Sequence, residues 1–368
     1  MNYYITVLSK LLTVSPEYNS FLSAFLPMAM DSPALADALV AWSSGHLAAT
    51  DGSYRVTALE ARSTALQSLT ESIACVSDNL TCCEANVATC LVLLTSEVCL
   101  GDHTGWYGHL KGIKNMIVSA WSSGGQGTHR GTDALRQSPE GQWILRNFAY
   151  HDVLGSVTLG TRPLIEGEYL QGITGLVDTY LGVASEILIF ISEISCLDPL
   201  DLAHDSVEGS EDSRCASLER RIKSWKCQAG TAQTLVAVAY AYRSAALVYL
   251  YRRILRAEQC SPELATIIRS RIQIEVATTL EHVSDVPLND NPETALLFPV
   301  FMAGGDATER NHIEMIRMRL VIMQGKRPFH NISRALQVLE EVWVQRRNHT
   351  DVDWKDVVDR QPGGLLLT

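Results

Sequence analysis

The sequence predicts an all-α protein, a multi-helix stack of antiparallel helix pairs. Three observations carry that prediction. Helix starts are written as cap residues followed by proline, apolar residues recur every three or four positions, and hairpin signals are nearly absent. With 368 residues, 46% of them hydrophobic and 19% charged, the chain can bury about three quarters of its unfolded surface, enough for a core without staples.

Ser32-Pro33, Ser138-Pro139, Ser261-Pro262 and Asn291-Pro292 each open a helix. The Ser or Asn side chain accepts from an N–H that has no intrahelical partner, and proline at the first helical position loses no bond because its missing N–H had none to make. Glu140, Glu263 and Glu293 then place negative charge where the helix dipole favours it. Capping boxes pair Thr81 with Glu84 and Asp306 with Glu309. One apolar stripe runs through Leu264, Ile268, Ile272, Val276, Leu280 and Val283, and a second through Ile313, Ile316, Leu320 and Met323. After the break Gly325-Lys326-Arg327-Pro328, a third runs Phe329, Ile332, Leu336, Leu339, Trp343. Gly304-Gly305 reads as the end of one helix, with Asp306 capping the next. Three polar stretches read as solvated connectors: Gly-rich Ser122–Gln137, Asp198–Ser213 with its acidic run Glu208–Asp212, and the chain from Arg346 onward. The helical domain therefore spans residues 1–345, and 346–368 is a C-terminal tail, apolar only at Leu365–Leu367.

Composition excludes several classes of function. The formal net charge is −11, and an acidic chain is repelled by phosphate backbones unless it carries a local basic patch. The best apolar run, Thr231–Tyr251, carries Arg243 in its middle, and Leu181–Leu197 carries Glu186 and Glu193. Both read as core helices, so no membrane association is expected. The opening MNYYITVLSKLL lacks a basic segment and a small-residue cleavage site, so no signal peptide is expected. Without secretion, the sequons at Asn79, Asn331 and Asn348 carry no meaning.

No constellation of catalytic or ligand-binding residues emerges. The nine cysteines include Cys75, Cys82, Cys83 and Cys90 at suggestive seven-residue spacings, but no CxxC pair exists. They read as reduced thiols in helix seams, and the chain is expected to hold no stoichiometric zinc. None of the ten histidines forms HExxH, and no G-x-S-x-G elbow is present. Tyr150-His151-Asp152 are adjacent, so on a helix they do not face one another. Asn289–Glu293 is acidic but lacks the DDxxD pattern that holds Mg²⁺ against a pyrophosphate. Arg252, Arg253 and Arg256, and Arg269 with Arg271, read as helix-end cations that complement dipoles and make ion pairs. Glu97 and His109 flank a short turn, where a carboxylate–imidazole contact beside Trp106 would lock a helical hairpin; His103 lies in the same turn. No catalytic, cofactor-binding, metal-binding or DNA-binding residue is assigned, and no effector-binding residue can be named.

Three ordered stretches give the chain a family likeness. Phe25–Ala29 with Ala34–Leu47, then Cys90–Gly112, then Phe298–Trp343 resemble the fungal-specific transcription factor domain of the second common type. This is the helical regulatory region that follows the zinc cluster in binuclear-cluster regulators. The resemblance implies control of RNA polymerase II transcription in a fungal nucleus. Implied partners are transcription machinery or co-regulator proteins, a small-molecule effector and a second copy in a homodimer. DNA would be held only through a separate zinc cluster, which these residues do not contain. The rival readings are a helical protein-interaction scaffold and an all-α enzyme.

Overall fold

The computed structural model describes residues 1–74, 80–101, 105–124, 127–203, 213–257, 260–348, 352–360 and 364–368. The chain enters through π-helical turns at Tyr4–Leu8 and Phe21–Phe25, each followed by a short helix, α1 (Ser9–Leu11) and α2 (Leu26–Asp31). Then come α3 (Pro33–Ala48), α4 (Arg55–Ala74), α5 (Leu80–Leu100) and α6 (Trp106–Ser119). A hairpin of β1 (Trp121–Gly124) and β2 (Gly127–Arg130) leads to α7 (Thr132–Leu135) and α8 (Pro139–Leu159). The second half holds α9 (Ile187–Ser195), α10 (Pro199–Ala203), α11 (Arg214–Ser224), α12 (Gln233–Leu255) and α13 (Pro262–Ser284). It closes with α14 (Leu297–Asp306), α15 (Arg310–Lys326), α16 (His330–Arg347) and α17 (Trp354–Asp359).

The fold is all-α, as the periodicity predicts. Successive helices pack as pairs, α3 on α4, α5 on α6, α12 on α13 and α15 on α16. The apolar stripes face inward: Ile268, Ile272, Val276, Leu280 and Val283 are buried, as are Ile316, Leu320 and Met323, and Phe329, Ile332, Leu339 and Trp343. α8 and α12 form the centre and are buried on nearly every side. α5 and α12 are long and apolar enough to cross a bilayer, and 78% of the apolar window in each is enclosed by the rest of the fold.

The three serine caps form. Ser32, Ser138 and Ser261 accept from the backbone N–H of Leu35, Gly141 and Leu264 respectively. Other predicted starts are corrected, those at Glu84 and Asp306 because the carboxylate takes a partner distant in the chain. At Asn291-Pro292 the cap is Asp290, and a 3-10 helix, Asn291–Leu296, precedes α14. Glu293 lies in the first turn of that helix, as expected, but its charge is met by arginines from elsewhere. It is fully buried and accepts from Arg319 at 3.0 Å and Arg327 at 3.2 Å. Thr81 lies inside α5, and Glu84 accepts from the Ser138 hydroxyl instead of closing a capping box. Asp306 is the last residue of α14, and its two oxygens accept from Arg252 at 2.7 and 2.6 Å. Gly304 and Gly305 do lie in the last turn of α14, where they permit close packing. A Cβ on Gly304 would stand 2.7 Å from Leu339 Cδ1, and one on Gly305 would collide with Trp354.

Two connectors and one predicted core helix differ from expectation. The Gly-rich stretch after Ala120 is partly the β1–β2 hairpin, antiparallel with Trp121 opposite Arg130, and partly α7. The run Leu181–Leu197 is helical only from Ile187, and residues 160–186 are ordered by a 3-10 helix at Gly167–Leu170, an Asp178–Gly182 bridge and side-chain bonds. Asp178 accepts from the backbone N–H of Tyr180 and Leu181 and from Arg146 Nε at 3.0 Å, while Thr179 bonds Tyr18 and Ser20 of the N-terminal segment. The stretch from Arg346 onward returns to the core rather than trailing into solvent. Trp354, Val357, Val358 and Leu365–Leu367 are buried, and Thr158 donates to the Leu365 carbonyl at 2.5 Å. Asn331 is buried with its amide bonded to Thr368, so that sequon is closed to modification. Cys75, Asn79, His103 and the Glu208–Asp212 run lie outside the described residues.

Candidate functional site

The strongest candidate site is a cleft of about 660 Å³ where several elements end. The end of α8, the ends of α9 and α12, α10 and α17 enclose it. Among the described residues five cations line it, Arg162, Arg252, Arg253, Arg256 and Lys355, against one carboxylate, Asp359. Between them lie Val157, Leu202, Tyr249 and Trp354. That mixture of apolar wall and few charged groups, at this volume, suits a small-molecule site.

The cations are held differently. Arg252 is buried, bonded to Asp306 and to Asp353 at 2.5 Å, and stacked 5.0 Å from the Trp354 ring. Burial works against its charge, but the two carboxylates outweigh burial and keep its pKa above the ordinary value. Arg253 donates to two carbonyls at the end of α9, Ser195 at 3.3 Å and Leu197 at 2.7 Å. These bonds turn both terminal nitrogens to carbonyls, and among the described residues no carboxylate pairs with the charge. Arg162 and Arg256, about half-exposed, and Lys355, mostly buried, pair with the exposed carboxylates Asp198, Asp356 and Asp359 respectively, and Arg256 also lies 3.5 Å from Asp353. The tyrosine wall is fixed by a hydroxyl chain, Tyr249 to Ser195 at 3.1 Å and Ser195 to Ser156 at 2.9 Å.

A second cavity of about 800 Å³ lies among α2, α3, α4, α5 and α8. Asp31, Glu71, Glu84 and Glu140 line it. Burial raises the Glu84 pKa against the Ser138 hydrogen bond, and Glu140 adds to the rise.

The residues singled out by sequence have architectural roles. His109 Nε2 meets Glu97 Oε1 at 3.0 Å, so the carboxylate–imidazole contact across the α5–α6 turn forms, with Arg62 of α4 as a further partner and Trp106 buried beside it. His151 is buried between Thr95 at 3.2 Å and Thr368 at 3.0 Å, and burial lowers its pKa to about 3. Asp152 points elsewhere, accepting from the backbone N–H of Leu164 and Ile165; burial raises its pKa to about 6 against those bonds. The triplet therefore makes no catalytic dyad. Burial pushes the thiols of Cys83 and Cys90 up to about 11 and about 12, so they stay protonated in their helix seams. Among the described residues, no three His, Cys, Asp or Glu side chains converge as a metal site.

The basic cluster Arg252, Arg253 and Arg256 was visible in the sequence, but Arg162, Tyr249 and Lys355 were not linked to it. They come from separate elements, and only packing brings them together.

The motif residues of this helical stack are architectural, and the cleft is of a size to take a small molecule. The chain belongs to the family of the fungal-specific transcription factor domain, whose sequence profile matches residues 1–368. Membership places it in transcription regulation. No curated protein and no solved structure matches it. Residues of the three familiar stretches hold helices together. Trp343 of α16, for example, donates from Nε1 to the Gly304 carbonyl of α14 at 2.9 Å, and Phe298 is fully buried.

Proposed function

We propose that these residues form the regulatory domain of a fungal transcription factor, controlling RNA polymerase II transcription in the nucleus through protein contacts and a small-molecule effector. The family match over the whole chain carries the reading. The domain performs no catalysis and takes no cofactor. Its partners are co-regulators or transcription machinery, and DNA is held by a separate zinc cluster.

The charge distribution supports this division of labour. Specific readout needs an element that enters a groove and side chains that reach base edges. The densest cation cluster lines a cleft, where Arg252 is buried against carboxylates and Arg253 is turned to carbonyls. Eleven excess negative charges oppose approach to phosphate. The chain alone should therefore show no sequence-specific affinity for duplex DNA. Binding-site selection from random duplexes at about 0.15 M salt checks this, that being physiological ionic strength. Recovery of no consensus is expected, and enrichment of a CGG-containing site by this chain alone would overturn the reading.

A further inference from the structure

We propose that the cationic cleft is the effector site and that it takes a small amphiphilic organic anion. Its acidic head would meet Arg253 and Arg256, and its hydrocarbon body would lie against Val157, Leu202 and Tyr249. The word effector rests on the regulatory reading above; the binding itself rests on geometry alone.

The sign of the ligand follows from how each charge is held. Arg252 is neutralised by Asp306 and Asp353 and forms a fixed floor. Arg253 has carbonyl partners only among the described residues, so it keeps a full positive charge at the cleft wall. The outer cations pair with exposed carboxylates, and Arg256 also lies 3.5 Å from Asp353, which is already engaged by Arg252 at 2.5 Å. Arg256 and Asp356 are 3.5 Å apart and about half-exposed, at 47% and 48%. Asp198 and Asp359, which pair with Arg162 and Lys355, are each 57% exposed. Exposed pairs of this kind contribute little, so a ligand acid can replace Asp356 or Asp359 at small cost. A charge-assisted bond to an arginine inside a cleft is stronger than the exposed pair it displaces. The apolar wall, fixed by the Tyr249–Ser195–Ser156 hydroxyl chain, calls for hydrocarbon rather than a bare inorganic ion.

Asp359 gives the proposal its sharpest consequence. Among the described residues it is the one carboxylate lining the cleft, and it would repel an incoming acid. Removing its charge should therefore tighten binding, whereas removing a cation should weaken it.

The probe is 1-anilinonaphthalene-8-sulfonate, an aromatic anion whose fluorescence rises on leaving water, titrated into the full chain. N-phenyl-1-naphthylamine, the same ring system without the sulfonate, is the neutral control. One saturable site is expected for the anion, with the neutral compound at least tenfold weaker. Arg256→Gln should weaken the anion tenfold or more, and Asp359→Asn should tighten it. Glu71→Gln, in the acidic cavity, should change nothing. Arg256 is half-exposed, so its replacement leaves the fold intact, and a thermal melt verifies that. No saturable site, equal affinity for the two compounds, or an Arg256→Gln variant that binds like the parent would overturn the proposal. The titration contains neither DNA nor a transcription readout, so its failure would leave the regulatory reading standing.

Discussion

Replacing Glu293 with alanine should cost about 3–5 kcal/mol of folding stability, the size seen when one partner is removed from a buried ion pair. Glu293 is completely buried and holds two arginines at once, Arg319 and Arg327, both nearly inaccessible. It also accepts from the backbone N–H of Asn289 at 3.1 Å. Around it, Arg319 donates to the Val283 and Val286 carbonyls, and Arg327 to those of Leu11 and Asp290. One carboxylate thus joins the N-terminal segment, the end of α13 and the middle and end of α15. Burial already pulls the Arg327 pKa below its ordinary value, with Glu293 opposing the pull. Without Glu293, two cations stay in the core with carbonyl partners only. Since a whole domain is stable by only about 5–15 kcal/mol, the variant should unfold at much lower urea. A loss under about 1 kcal/mol, the range typical of exposed pairs, would show that this cluster is wet and the packing around it wrong.

Leu320→Asp should be similarly severe, several kcal/mol, because it places an unpaired charge at a fully buried position of α15. The controls lie on the same helix. Met318 and Val321 are 51% and 52% exposed, so aspartate at either should change stability by no more than about 0.5 kcal/mol. Urea melts of the three variants check the helix phase directly. Equal effects at 318, 320 and 321 would contradict the inward stripe Ile316, Leu320, Met323.

What the sequence revealed was local. Ser32, Ser138 and Ser261 cap their helices because the cap bond spans three residues and has no rival nearby. The stripes faced inward because helical periodicity alone decides which face is apolar. The Glu97–His109 contact was legible because a short turn brings the two helix ends together. Misreadings arose where a distant partner outbid a local one. Asp306 bonds Arg252 rather than starting a helix, and Glu84 bonds Ser138; Glu293 keeps its place in a first turn but is engaged by two arginines far along the chain. Residues 160–186 gave no periodic signal because Asp178 and Thr179 order them by individual hydrogen bonds. The last residues read as a tail because their polar content hid the few apolar side chains that return to the core, Trp354, Val357 and Leu365–Leu367. The cleft was illegible for the same reason: Arg162, Arg253 and Lys355 share a wall only after α8, α12 and α17 have packed.

The central claim is that this helical stack regulates transcription without reading DNA itself, and tethering tests it most directly. Residues 1–368 are fused to a heterologous DNA-binding module in a fungal host, and output is measured from a reporter carrying that module's sites, both from a basal and from a constitutively active promoter. The account predicts that the fusion raises basal output or lowers active output by severalfold, and that Leu320→Asp abolishes the effect. Unchanged output from both promoters, with the folded fusion present in the nucleus, would contradict it.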